Sequence, residues 1–247
     1  MSKHIKKDFS HTSDFTKYMK VAFDIICSDF KSQGKILDIP AGNGKFSIAL
    51  QGEGFKVTSA DINKELPGYV YANMSEPLPF KDDEFDAVSC LEGIEHIIDP
   101  ALLIKEFQRI VKPGGNILIS TPNIQSMFSR LKFICTGYFF LFEPQLSRHI
   151  ECNNQIDRGH ISPMSYLQLR YLLEEYGFYI EAIKTDKIKK KVLLPLYAPF
   201  ILIGWLWAYR DYIRGGRLSF HREIIKDLFS KEVLLGRTLV MSFKHKG

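Results

Sequence analysis

The segment ILDIPAGNGKFSIAL, Ile36 to Leu50, limits the fold of this chain more than any other stretch. An apolar run of strand length ends in Asp38, a turn carrying Gly42 and Gly44 follows, and a helical pattern begins near Lys45. Glycines are required in such a turn where φ is positive or where a ligand approaches the main chain too closely for a Cβ. A second apolar run ends in Asp61, and a carboxylate at that strand end can accept hydrogen bonds from both hydroxyls of a ribose. Strand, tight turn and helix in immediate succession point to an α/β chain with a mostly parallel sheet.

The same alternation continues. Strand-length runs occupy Lys35 to Ala41, Lys56 to Ile62, Tyr69 to Met74, Phe85 to Leu91 and Asn116 to Thr121, with Phe178 to Thr185 and Arg237 to Lys246 as a sixth and a seventh. An amphipathic helix is expected over Asp14 to Phe30. Asp99-Pro100 reads as an N-cap with proline at the first helical position, and Pro113-Gly114-Gly115 as the stop of that helix. Ser162-Pro163 predicts the start of a further helix, MSYLQLRYLLEEY, closed by Gly177. The connection Asn123 to Ile161, with FICTGYFFLF at its middle, is too aromatic for a free loop and is expected to be a lid over a binding cleft.

With 45% hydrophobic and 25% charged residues among 247, the chain can bury a sizeable core and is not a disordered or collagen-like sequence. The net charge of +5 is unevenly spread: the last 64 residues carry +9 and the first 183 carry −4. The cations surround the longest uncharged stretch, Val192 to Tyr209, which suggests an anionic membrane surface and no nucleic-acid partner. Cys27, Cys90, Cys135 and Cys152 form no CxxC pair, and the opening MSKHIKKDFSHTSDF is polar, so a cytoplasmic setting is expected.

Two ligand classes suit the first turn. A dinucleotide fingerprint GxGxxG would put its third small residue at Ser47, but Asp38 would repel a pyrophosphate and suits an ammonium group better. Asp38-Ile-Pro40-Ala-Gly42-Asn-Gly44 resembles the DxGxGxG pattern of class I S-adenosylmethionine-dependent methyltransferases, with Pro40 in place of the first glycine. NMSEPLPFKDDEFDAV, LEGIEHIIDP, FQRIVKPGGNILISTPN and HISPMSYLQLRYLLEEYGF are similar to later segments of that family, so the likeness runs from Gly34 to Phe178.

The resemblance implies a Rossmann-like, seven-stranded, mostly parallel sheet with an antiparallel last strand and helices on both faces. It implies S-adenosylmethionine as cofactor, with Asp38, Pro40, Ala41, Gly42 and Gly44 around the methionine part and Asp61 on the ribose. Asn73 would meet the adenine, Ile62 and Met74 would flank it, and Leu91 would lie beside the sulfonium. For Ile62 and Met74, ordinary core packing is the competing explanation. A nicotinamide-dependent oxidoreductase and a non-catalytic, membrane-associated nucleoside-binding module remain as alternatives.

No NPPY-like motif for amine methylation occurs, which favours an oxygen acceptor. His160 is the candidate general base. Glu92, Glu95, His96 and His160 resemble the metal-using sets of some ubiquinone-pathway and small-RNA 2′-O-methyltransferases; a divalent cation is open here but not expected. Arg148, His149 and Arg158 could meet an anionic group on the acceptor.

Val192 to Tyr209 would span ~27 Å as a helix, marginal for a hydrocarbon core of roughly 30 Å, and Pro195, Pro199 and Gly204 weaken a straight span. A surface-inserted segment with Trp205, Trp207 and Tyr209 at the interface is expected, giving peripheral membrane contact through 186–217 on the inner face. Packing on the domain or on a second subunit is the competing explanation. The organisation expected is a methyltransferase domain over 1–185 and 234–247, with the lid at 123–161 and a basic apolar insert at 186–233. The acceptor would be a small or lipid-linked molecule; oligomeric state is left open.

Overall fold

Residues 15–29, 34–63, 67–144, 150–152, 155–157, 159–214 and 219–247 are described by the computed structural model of the chain. The apolar runs form one sheet: β1 (Lys35–Asp38), β2 (Lys56–Asp61), β3 (Val70–Tyr71), β4 (Phe85–Leu91) and β5 (Val111–Pro122), then β8 (Phe178–Thr185) and β9 (Thr238–His245). A separate hairpin comprises β6 (Ile150–Cys152) and β7 (Gln155–Asp157). The main sheet has the order β3-β2-β1-β4-β5-β9-β8. All neighbours from β3 to β5 are parallel, and β9 runs antiparallel to both β5 and β8. The order reverses between β1 and β4, and open α/β sheets hold their ligands outside the carboxyl ends of the strands at such a point.

Strand periodicity splits the core in two. Leu37, Val88, Cys90, Ile117, Ile119 and Met241 face one side, against Leu103 and Phe107 of α3 (Pro100–Ile110) and Leu169 of α5 (Tyr166–Glu175). Ile36, Ala87, Leu118 and Val240 face the other, against Ile25 and Ile26 of α1 (Lys17–Asp29) and Phe46 and Leu50 of α2 (Lys45–Gly52). Neighbouring residues of one strand thus bury against different helices, as a period of two demands.

Several boundaries differ from those read in the sequence. Asp99 caps α3 as expected, accepting from the amides of Ala101 and Leu102, an arrangement typically worth ~1 kcal/mol. Yet α3 ends at Ile110, and Pro113-Gly114-Gly115 lies inside β5, where the register with β4 jumps from Phe85↔Val111 to Ala87↔Asn116. A Cβ on Gly115 would sit 2.8 Å from the Asp86 carbonyl, so the glycine permits this close passage of strands. The third strand is only Val70–Tyr71, shorter than the apolar run suggested. The next helix is capped by Ser165 rather than Ser162, through a bond from the Gln168 amide, and Gly177 closes it at φ 82°.

After β5 the chain forms α4 (Met127–Thr136), capped by Ser126. After β8 come α6 (Leu194–Ala208), α7 (Ser219–Leu228) and α8 (Lys231–Leu235). Two polar clusters fasten this last region to the sheet. The Asn123 side-chain amide donates to the carbonyls of Glu232, Val233 and Gly236, and the Tyr166 hydroxyl donates to Asp227 at 2.6 Å. Arg170, buried beside Tyr166, pairs with Glu174, Glu223 and Asp227.

Candidate cofactor and acceptor crevice

The first turn is built as its glycines require. Ile39 and Pro40 are joined by a cis peptide bond, the Ala41 amide donates to the Ala60 carbonyl at 2.9 Å, and Gly42 and Gly44 have φ of 51° and 72°. Those two values lie in the left-handed region that non-glycine residues rarely enter. The Gly42 amide donates to Asp61 Oδ2 at 2.9 Å, while Asp61 Oδ1 accepts from the Asn63 amide at 2.9 Å. Asp61 is 4% exposed and joins the end of β2 to the turn after β1.

Asp38 lies beneath the turn at 1% exposure. Ser47 Oγ donates to its Oδ2 at 2.6 Å and Ser89 Oγ to its Oδ1 at 3.0 Å, and Ser59 in turn donates to Ser47 at 2.8 Å. Burial raises the Asp38 carboxyl to about 6; the Ser47 and Ser89 hydroxyls oppose that rise and the nearby Asp61 charge adds to it. Neither aspartate has a lysine or arginine ion-pair partner among the described residues. Both Asp38 oxygens and Asp61 Oδ2 accept one bond each and keep a lone pair for another donor, while Asp61 Oδ1 also accepts from the Asn63 side-chain amide at 3.1 Å. The pair can therefore receive a cation and a diol.

Tyr69 covers the turn: its hydroxyl lies 3.4 Å from the Gly42 carbonyl, and a Cβ on Gly44 would fall 2.3 Å from that oxygen. Burial raises its phenol, and Asp38 and Asp61 add to the shift. Tyr69, Ser47, Ser59 and Ser89 were not read as site residues in the sequence. Ser89, flanked by Val88 and Cys90 in the buried strand β4, was the available signal.

The remaining sequence-derived residues have mixed surroundings. Ile62 is half-buried next to Asp61, and Leu91 is buried at the end of β4. Met74 packs partly buried against the larger core cluster. Asn73 closes its own turn, donating to Glu76 at 2.6 Å and accepting from the Ser75 amide at 3.1 Å. Pro40 packs on Gly93, where a Cβ would come within 2.4 Å of the ring. Arg148, His149 and Arg158 fall outside the described residues.

The structure gathers three of the four candidate metal ligands. Residues Ile94–His96 form a short 3-10 turn, and Glu92 precedes it at φ 50°, so helical spacing does not bring Glu92 onto their face. Its carboxylate instead accepts from Ser120 Oγ at 3.2 Å. Glu95, His96 and His160 do converge, with ligand atoms all within 4.8 Å of one another, a set able to hold a divalent cation. His160 stacks edge-on to His96 at 4.8 Å and lies 5.5 Å from the Phe142 ring. The Ile161 and Ser162 amides both donate to the Glu95 carbonyl at 2.9 Å and hold this strand of chain on the rim. Neither carboxylate oxygen of Glu95 makes a hydrogen bond of good geometry among the described residues. Burial first, then Glu92, pushes its carboxyl well above the usual range.

A family described as a methyltransferase domain matches residues 15–183. The chain belongs to that family. It is 31% identical over 151 residues, 52% of this chain and 58% of the relative, to the ubiquinone/menaquinone biosynthesis C-methyltransferase UbiE of Pectobacterium atrosepticum. It is 36% identical over 106 residues, 36% of this chain and 44% of the relative, to the ubiquinone biosynthesis O-methyltransferase of Pseudomonas aeruginosa. The chain spans about half the length of the curated relatives it matches. A solved S-adenosylmethionine-dependent methyltransferase of Archaeoglobus fulgidus shares the fold, with a TM-score of 0.58 at 18% identity over 96% of this chain and all of that one.

The chain carries a methyltransferase domain and shares the fold of a solved S-adenosylmethionine-dependent methyltransferase, which favours that cofactor over a nicotinamide. The residues present fit the cofactor. Asp38 is a buried carboxylate without a cationic partner among the described residues, suited to an ammonium group, and Asp61 is an acceptor beside a glycine cradle.

Proposed function

We propose that the chain transfers the methyl group of S-adenosylmethionine to an oxygen of a small or lipid-linked acceptor at the cytoplasmic face of a membrane. The observation that carries this reading is the pair of buried aspartates on either side of the Gly42–Gly44 turn, both without a cationic partner among the described residues. Asp38 would take the α-ammonium, the turn amides the carboxylate, and Asp61 the ribose hydroxyls.

When bound, the cofactor supplies a methyl group already activated by its sulfonium. The chain then has to align the acceptor and exclude water. His160 on the rim is the group to accept a proton from an acceptor hydroxyl, with His96 and Phe142 fixing its ring. A cation at Glu95, His96 and His160 is not required for this step. The relatives named above include both a C- and an O-methyltransferase, which supports a small quinone-type acceptor class.

The test has two parts. Calorimetry with S-adenosylmethionine should give saturable binding. Incubation of the full chain and methyl-labelled cofactor with a membrane lipid extract should then label a product whose new methyl resonates as a methoxy group. A carbon-bound methyl would overturn the oxygen assignment, and binding without any labelled product would favour the non-catalytic module.

A further inference from the structure

The helix after β8 has no polar outer side. From Lys191 to Tyr212 the chain forms one helical rod of 22 residues, and only 6% of its apolar window is buried against the rest of the protein. The buried part is a narrow stripe. Tyr197 is 2% exposed, and Ile201, Gly204 and Ala208, at i+4, i+7 and i+11 from it, are half-buried. A Cβ on Gly204 would lie 3.8 Å from the Phe229 ring, so this stripe rests on the domain. Around the other sides stand Val192, Phe200, Leu202, Ile203, Leu206 and Trp207, each between 52% and 82% exposed. A helix lying on a domain in water would turn polar residues outward. This one turns large apolar residues outward.

Both ends of the rod return to the same side of the molecule. Before it, Ile188 bridges to Gly236 and the Lys189 amide donates to Leu235. After it, the Tyr212 ring stacks 5.7 Å from His221 in α7, which Tyr166 and Arg170 hold through Asp227. Length and composition would allow the rod to cross a bilayer, but crossing would strip Tyr197 and Gly204 from the domain and pull α7 from its anchor. The rod lies flat.

We propose that Lys191–Tyr212 docks the protein on an anionic lipid bilayer, lying in the plane of the surface with its outer sides among the acyl chains. Lys187, Lys189, Lys190 and Lys191 precede the apolar run and Arg210 follows it, a charge pattern that fits anionic headgroups around a shallow insert. Trp205, Trp207 and Tyr209 suit the interfacial level. A second copy is the poorer occupant, because a two-fold interface would set one +9 segment against another. The anchor also reaches the acceptor side of the crevice. Lys189 Nζ sits 3.6 Å over the Phe140 ring, and Phe142, two residues on, meets His160. A lipid-linked acceptor, the class proposed above, would meet the rim at the membrane surface.

The two tryptophans of the chain, Trp205 and Trp207, both lie in this rod, so tryptophan-selective fluorescence reports on it alone. Vesicles of phosphatidylcholine with phosphatidylglycerol should float the full chain, and lipids brominated near the headgroup should quench its emission more than lipids brominated at the chain end. The doubly substituted Phe200→Glu, Ile203→Glu protein should float about tenfold less or worse while binding S-adenosylmethionine as before. No flotation and no quenching would overturn docking, as would lipid-free protein that is a dimer with its tryptophans already shielded. Stronger quenching from the chain end would overturn the flat arrangement. Flotation by a protein that fails to bind S-adenosylmethionine would sink the methyl-transfer reading and leave docking standing.

Discussion

Asp38 offers the sharpest perturbation. Its carboxyl is buried with two serine hydroxyls as hydrogen-bond donors among the described residues, and its pKa rises from 3.8 to about 6. A raised folded pKa means that the folded state binds the proton more tightly than the unfolded one between those two values, so stability declines as pH climbs from about 4 to about 6 and stays lower above. The difference of roughly two units corresponds to a cost on the order of 3 kcal/mol in the ligand-free protein at neutral pH. An ammonium group placed beside Asp38 selects the ionised form. At pH 5 only about one molecule in ten carries that charge, so S-adenosylmethionine should bind about tenfold more weakly at pH 5 than at pH 7. Asp38→Asn keeps the shape and removes the charge. It should flatten this pH dependence, weaken binding at pH 7 by about tenfold or more, and leave urea stability at pH 7 equal to or above that of the unsubstituted protein. Calorimetric titrations across pH 5 to 8, paired with urea unfolding, measure both. A flat affinity profile for the unsubstituted protein, or a variant that loses stability and keeps its affinity, would refute the assignment of Asp38 to the ammonium.

Further outcomes are checked in the same assays. Asp61→Ala should weaken cofactor binding more than tenfold, since a carboxylate accepting from two hydroxyls contributes ~1.5 to 3 kcal/mol; unchanged affinity would remove the ribose role. Gly93→Ala drives a Cβ to 2.4 Å from Pro40 and should lower both cofactor affinity and urea stability, the latter by about 1 to 3 kcal/mol. Tyr166→Phe deletes the hydroxyl shared by Asp227 and Arg170 and should cost about 1 kcal/mol, with Arg170→Met costing about 3 kcal/mol because it leaves Asp227 without its cation. Methyl transfer should survive treatment with a chelator and reassay; activity that returns only with an added divalent cation would reinstate a metal at Glu95, His96 and His160.

The fold was legible in the sequence because its strands are apolar runs punctuated by Asp, Gly and Pro, and that punctuation is local. Asp38 and Asp61 were legible for the same reason: each is the charged residue ending an apolar run. What supports them was not, because support comes from other strands. Ser59 and Ser89 stand opposite Asp38 only through the register of β1 with β2 and β4. Glu92 stands apart from Glu95, His96 and His160 for a different reason. The spacing Glu92, Glu95, His96 puts three side chains together only on a continuous helix, and the left-handed backbone at Glu92 breaks that premise. Pro113-Gly114-Gly115 was read as a helix stop, whereas the helix hands over directly at Val111 and the glycines serve strand crowding.

The apolar rod shows where local reading stops. Its prolines suggested an interrupted segment, yet Pro195 sits in the first turn, where a missing amide costs nothing, and the helix continues through Pro199 to Ala208. Eighteen uncharged residues carry no periodic polar signal from which to orient a helix, so sequence alone gave a length and no facing. The facing comes from residues far away in the chain. Phe229 selects Gly204, and the Asp227 anchor fixes where the return segment must end. Those two constraints turn a length that could span a bilayer into a rod that cannot leave the domain surface. In the docking proposed above, the orientation of the crevice toward lipid would rest on the Tyr166–Arg170–Asp227 cluster as much as on the apolar residues themselves. Loosening that cluster with Tyr166→Phe should reduce flotation on anionic vesicles without touching any lipid-facing side chain, whereas unchanged flotation would mean that the rod is oriented by its own contacts alone.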